Sequence, residues 1–387
     1  MKNKTRNRVK NIFVLLLTLC GIVGILIYPE VSCDSAEQAI EMCLTVLVPT
    51  LFPFLVLSGI FIKCGFAERL GRLLDRFTQK VFRVGGNCSS AMILGLVSGF
   101  PVGAKTVSSL YKNGACSKVE AERTLAFCNN AGPSFILGTV GVGIWQSGKT
   151  GWLLWAVQIV SAVFVGIIVG RIWKGTADTV VFVNTKNNIP QKQSVLHIFL
   201  SSVTDGAVSM LYICSFVVFF AVAVSLLLHT GLILSISAAI CKLFPFFERE
   251  TVENLLVGIF EMTTGVSRVG NSAPVLQNLA VTSALIGWAG ISVHCQVLSY
   301  ICDGGLSPKP YFIGKILQTA FATALIFICS FLIPGYKADI LPSSEIPQIS
   351  VYALVCGAVV AFSLTVLFLL FRSKKQTEKT VKFSRKP

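Results

Sequence analysis

The sequence predicts an all-α integral membrane protein with about eight transmembrane helices and two re-entrant hairpins, arranged as inverted repeats. Three observations lead there. The chain is 53% hydrophobic and only 13% charged, where soluble domains carry roughly 25% charge, and its mean hydropathy is +0.74. Apolar runs recur at close to the ~20 residues a helix needs to cross the hydrocarbon layer. Two further apolar segments, one in each half, are broken by Gly, Pro and charge in a way that a simple span does not tolerate.

The first element is an apolar run over 12–28 behind a basic lead of Lys2, Lys4, Arg6, Arg8 and Lys10. No small-x-small cleavage site follows, so it reads as a retained signal-anchor helix rather than a secretory leader. With the acidic stretch Glu30, Asp34, Glu37 and Glu41 it forms a leading unit over 1–42. The remaining spans are 43–62, 124–144, 152–171, 208–228, 277–297, 314–334 and 350–371. Lys and Arg collect in alternate gaps: the N-terminus, 63–83, the 171–192 loop and the tail from Arg372. By the positive-inside rule these faces are cytoplasmic, which puts both termini there. The net charge of +15 is therefore a matter of topology. No basic patch is interleaved with exposed aromatics, so no nucleic-acid partner is expected.

The broken segments are 88–104, interrupted by Gly99, Pro101 and Gly103, and 252–270, interrupted by Glu261, Thr263, Thr264 and Gly265. Unpaired backbone groups survive at membrane depth only when protein buries them or they line a wet cavity. Both segments therefore read as re-entrant hairpins. Gly95 aligns with Gly258, an offset of 258 − 95 = 163 residues, and the same offset carries 43–62 onto 206–225. The first of these spans runs inward and the second outward, so the halves are inverted. The units are then a first repeat over 43–172, a cytoplasmic connecting loop over 173–207, a second repeat over 208–335, and a C-terminal helix with a basic tail over 336–387. Paired interrupted segments in inverted repeats point to a binding site near the midplane.

Candidate site residues follow from those interruptions. Ser98, Pro101, Gly103 and Lys105 belong to the first hairpin. Small residues there let backbone approach a ligand, and a half-helix N-terminus favours an anion. A tight helix contact is the alternative for the small residues, and snorkelling to the interface is the alternative for Lys105. Asn129, Asn130 and Ser134 surround Gly132-Pro133; their amides and hydroxyl both donate and accept, although a Pro kink capped by Asn would use the same residues. Glu261 is the sharpest feature, since a carboxylate at the membrane centre costs roughly 2.5–3.5 kcal/mol on insertion scales. It reads as a solute ligand or proton carrier, with an ion pair to Arg268 or a headgroup position as alternatives. Thr263 and Thr264 add hydroxyls, and Arg268 can bind an anion bidentately. His294, near Gln296, is either part of a proton path or hydrogen-bonded packing.

Enzyme chemistry has no foothold in the sequence. It lacks a GxxxxGK[ST] phosphate loop, HExxH, GxSxG and paired Cys/His metal spacings, so no catalytic residue, cofactor or metal is expected. The 13 cysteines lie mostly in apolar runs, where Cys behaves as a small hydrophobe. Cys33 and Cys43 are the candidate disulfide, provided both face an oxidising side.

At Gly99-Phe100-Pro101-Val102-Gly103-Ala104-Lys105, Asn129-Asn130-Ala131-Gly132-Pro133-Ser134 and Glu261-Met262-Thr263-Thr264-Gly265 the sequence resembles the YlbJ family of sporulation integral membrane proteins. That family carries duplicated nucleoside-recognition (gate) domains, a module also found in concentrative nucleoside carriers and ferrous-iron transporters. The resemblance covers roughly 40–335. It implies a spore-forming bacterium, a place in the membrane around the forespore, and secondary transport of dipicolinate from mother cell to forespore. Dipicolinate is a flat dianion with a ring nitrogen, which Lys105, Arg268, the paired Asn and half-helix N-termini would suit. The expected partners are a small polar or anionic solute and the lipid bilayer. On the residues alone, a passive channel or gate subunit of a larger complex, a nucleoside-type carrier and a non-transporting assembly protein all stay open, as do a homo-oligomer and a sporulation membrane partner.

Overall fold

The computed structural model describes residues 2–173, 194–243, 248–270 and 275–332. The first half contains α1 (Lys2–Ile27), α2 (Pro29–Lys63), α3 (Phe66–Val81), α4 (Gly86–Ser98), α5 (Val102–Lys112), α6 (Lys118–Leu125), α7 (Ser134–Ile144) and α8 (Gly148–Ile172). The second contains α9 (Val195–His229), α10 (Leu232–Leu243), α11 (Arg249–Phe260), α12 (Met262–Gly270), α13 (Val275–Trp288), α14 (Gly290–Asp303) and α15 (Lys309–Leu332). From α2 to α8 and from α9 to α15 the order is the same: a long helix, a shorter helix, a helical hairpin, a broken pair and a closing helix.

Equivalent long helices run antiparallel, as inverted repeats require. At one end of the α2–α9 pair, Lys63 Nζ meets Asp205 Oδ2 and Ser201 Oγ, both at 2.7 Å. At the other, the rings of Tyr28 and His229 lie 4.6 Å apart. Inside α2, Cys43–Leu47 widens into a π-turn just ahead of Pro49 and Pro53. Proline offers no N–H to the preceding turn and crowds its carbonyl, so the ladder slips there.

Both interrupted segments fold back on themselves. In the first, a methyl built on Gly95 would lie 3.3 Å from Gly103 Cα; in the second, one on Gly265 would lie 2.2 Å from Gly258 Cα. Hydrogen at these positions is what lets the arms of each hairpin touch. The second arms then cross over. α5 packs on α14 of the other half, and α12 packs on α7. One core cluster accordingly mixes Leu47, Phe135 and Val140 with Val217, Met262 and Leu285.

Five described helices are long and apolar enough to cross a membrane: α2, α8, α9, the stretch Leu276–Asp303, and Lys309–Cys329 of α15. The α3–α4 pair, bent by 102°, is a sixth candidate. The expected eight are not reproduced, for three reasons. The apolar part of α1, Val14–Ile27, falls short of a crossing length. The 124–144 segment is no single helix: polar α6 ends at Leu125, 126–132 is not regular helix, and α7 is a π-helix. The 350–371 run lies outside the described residues, as does most of the 173–207 loop. The class of the fold stands as all-helical, multi-pass and membrane-integral.

α3 carries Arg69, Arg72, Arg76 and Lys80 beside exposed Phe66, Leu70 and Leu73. That composition suits a helix lying along the membrane interface. The candidate disulfide is corrected: Cys33 and Cys43 are free. Cys43 is buried and Cys33 exposed.

Candidate functional site

Each hairpin turns against the break in its own half. Gly99 closes α4 with φ +74°, a left-handed conformation that favours glycine, and a methyl there would lie 2.6 Å from the backbone nitrogen of Gly132. In the second half the chain breaks at Ala289 and Gly290, with φ 81° and 79°. A methyl on Gly290 would lie 2.9 Å from the nitrogen of Met262 at the second hairpin tip.

Between the two tips lies a cavity of about 70 Å³, room for several waters. Its walls come in pairs. Ser98, Gly99 and Phe100 of the first tip face Glu261, Met262 and Thr263 of the second. Ala131, Gly132, Ser134 and Phe135 from one break are matched by Ser292, Val293 and Gln296 from the other. Leu51 of α2 and Val217 of α9 contribute apolar surface. Glu261 is the single carboxylate in this wall, and no Lys, Arg or His belongs to it.

Of the residues anticipated from sequence, Ser98, Ser134, Glu261 and Thr263 line this cavity. Ser98 is buried, and its Oγ has no hydrogen-bond partner among the described residues. Glu261 is 1% exposed and caps α12. Its Oε1 accepts from the backbone N–H of Thr263 at 3.1 Å, and its Oε2 from that of Thr264 at 2.6 Å. The carboxylate thus satisfies donors left over at a helix start and sits at the positive end of the helix dipole.

The other anticipated residues stand behind the wall or away from it. Pro101, joined to Phe100 by a cis peptide bond, and Gly103 hold the hairpin against the first break. A methyl on Gly103 would meet Cys128 O at 2.5 Å. Asn129 is buried, donates to Leu125 O at 3.2 Å, and leaves its Oδ1 without a partner among the described residues. Asn130 donates to Phe127 O at 2.8 Å and accepts from Gln318 Nε2 at 2.7 Å. Thr264 takes part through its backbone N–H. Lys105 is exposed on α5 and does not line the cavity. Arg268 forms no ion pair with Glu261; its Nε donates to Asn254 Oδ1 at 3.0 Å. His294 Nδ1 is paired with Tyr311 Oη at 2.8 Å, edge-on to Trp288, so packing describes it better than a lining role.

Sequence reasoning missed a buried polar chain. Gln318 donates to both Asn130 Oδ1 and Gln158 Oε1, the latter at 3.2 Å, and accepts from Lys315 Nζ at 3.0 Å. Gln158 donates in turn to Ser283 O at 2.9 Å. The signal was present: Lys315 and Gln318 interrupt the apolar face of α15, where an ionisable residue is a functional candidate by default. Lys315 lies at the edge of the expected 314–334 span.

The Gate family model, described as nucleoside recognition, matches residues 44–135, which run from α2 through the first hairpin to the first break. The chain is also similar to the sporulation integral membrane protein YlbJ of Bacillus subtilis (strain 168), with 28% identity over 333 residues, covering 82% of this chain and 81% of that one. That similarity takes in both hairpins, whereas the Gate match covers the first alone. No solved structure matches the chain.

Proposed function

We propose that the protein is a secondary transporter, in which a small polar or anionic solute binds between the two hairpin tips while one repeat shifts against the other. A transport-related membrane role is the coarse expectation from the similarity to YlbJ and the Gate match. The observation that carries the finer reading is the pairing of walls. Every element lining the cavity has its counterpart from the other repeat, so a rigid movement of either repeat changes access from both sides, which is the geometry of alternating access. Both hairpins enter the bilayer and return on the same side in this reading, and both termini are cytoplasmic. The sporulation context of the relative makes dipicolinate the first solute to try.

The test is uptake by the purified protein alone in proteoliposomes, comparing dipicolinate, nucleosides and simple dicarboxylates. Saturable uptake that accelerates with solute on the far side supports a carrier. Flux that rises linearly without saturation makes the protein a channel. Absence of flux for every solute class refutes transport by the lone chain.

A further inference from the structure

A cavity whose only charged wall residue is a carboxylate is poorly suited to an anion, yet a cation lies one side chain deeper. Lys315 on α15 is 1% exposed. Its Nζ hydrogen-bonds Gln318 Oε1 at 3.0 Å and sits 4.8 Å from the centre of the Phe100 ring. Phe100 itself lines the cavity, so its ring is the partition between cavity and ammonium.

The surroundings leave that charge under-compensated. The ion pairs among the described residues are Lys63–Asp205, Lys112–Asp303 and Arg249–Glu253, and none involves Lys315. An ammonium carries three donors, and a buried one without a counter-charge is costly. One amide oxygen and a ring face replace little of the water it gave up. Gln318 is held so that its oxygen faces Lys315, because its nitrogen is committed to Asn130 and Gln158. His294 keeps a buried Nε2 with no partner among the described residues. On the cavity side of the partition, Ser98 Oγ is buried, unpartnered and two residues from Phe100.

We propose that Lys315 is the counter-charge for an anionic solute and that Phe100 is the door in front of it. Rotation of the ring away from the ammonium joins Lys315 to the cavity, and a carboxylate of the solute takes the place of the ring face. Gln318, fixed by Asn130 and Gln158, keeps the ammonium aimed at the opening. The ligand class is a small carboxylate, held by Lys315 with Ser98 beside it. This rests on the cavity being the solute site, as proposed above, and adds what decides its charge preference.

Binding is measured by calorimetry on the full-length purified protein, with pyridine-2,6-dicarboxylate and its uncharged diamide as probes. Wild type binds the dicarboxylate more tightly than the diamide. K315Q lowers dicarboxylate affinity roughly tenfold or more while leaving the diamide within about twofold, and K315R restores most of the loss. F100A, with the cation–π contact removed, raises dicarboxylate affinity severalfold. The proposal is overturned by K315Q binding the dicarboxylate as wild type does, by equal losses for both probes, or by F100A weakening the dicarboxylate as much as K315Q. Wild type binding only the diamide also overturns it, while leaving transport of neutral solutes intact. If K315Q does not fold, K315R and F100A still carry the comparison. Flux of the same probes is scored separately, and it is flux, not binding, that decides whether the protein transports.

Discussion

Replacing Glu261 by Gln tests the cavity wall with almost no change of volume. The carboxylate accepts one N–H on each oxygen, from Thr263 at 3.1 Å and Thr264 at 2.6 Å. In the amide only one oxygen remains, so one of those backbone donors faces an NH2 group. Leaving a buried donor unpaired costs about 1–3 kcal/mol, and the surviving bond loses its charge assistance. Loss of the carboxylate also removes its favourable interaction with the α12 dipole, worth about 0.3–1 kcal/mol. Together these give a destabilisation of about 1–4 kcal/mol, confined to the second hairpin. The variant should insert in the membrane and purify, melt several degrees below wild type, and lose uptake, because the tip residues lining the cavity shift with the cap. Melting in detergent and uptake in proteoliposomes are measured on the same preparation. Wild-type uptake beside a lowered melting temperature would show that Glu261 only caps the helix. An unchanged melting temperature would refute the capping energetics themselves.

Three further outcomes follow from the packing. G95A brings a methyl within 1.7 Å of the Cys128 carbonyl, a backbone atom that cannot step aside, so its cost should exceed the ~1–3 kcal/mol typical of overpacking; G148A, with open space around it, is the control, and equal thermal stability of the two would contradict the seam. N130A removes the acceptor for Gln318 Nε2 and should destabilise by about 1–3 kcal/mol, with a double-mutant cycle against Q318A showing strong coupling; additive effects would mean that the hydrogen bond carries no energy. D205N breaks the Lys63–Asp205 pair, but Asp205 is 66% exposed, so after screening the loss should stay below about 1 kcal/mol, and a larger change in melting temperature would mean that the α2–α9 contact depends on this ion pair.

Much of the site was legible because backbone irregularity is a local property. Gly99, Pro101 and Gly103, and likewise Glu261 and Gly265, interrupt apolar runs, and the structure turns the chain at both places. The roles of Glu261 and Arg268 were less legible. Their spacing allowed an ion pair, yet the carboxylate is committed to α12's own backbone and the guanidinium reaches Asn254. The 124–144 run illustrates the limit of counting apolar residues: its composition is that of a span, but the helix ends at Leu125, non-regular chain runs from 126 to 132, and a new helix opens at Pro133.

The sequence by itself determined the solvent in which this chain folds, the repetition of its elements, and the two places where they break. Each follows from composition or from neighbours within a few turns, which is the range over which side-chain pattern acts on backbone. Only the tertiary structure decided which broken elements face one another, that Phe100 borders both the cavity and Lys315, and that Asn130 meets Gln318, 188 residues along the chain. Those pairings come from packing inverted halves together, and no local periodicity carries the identity of a partner so far away.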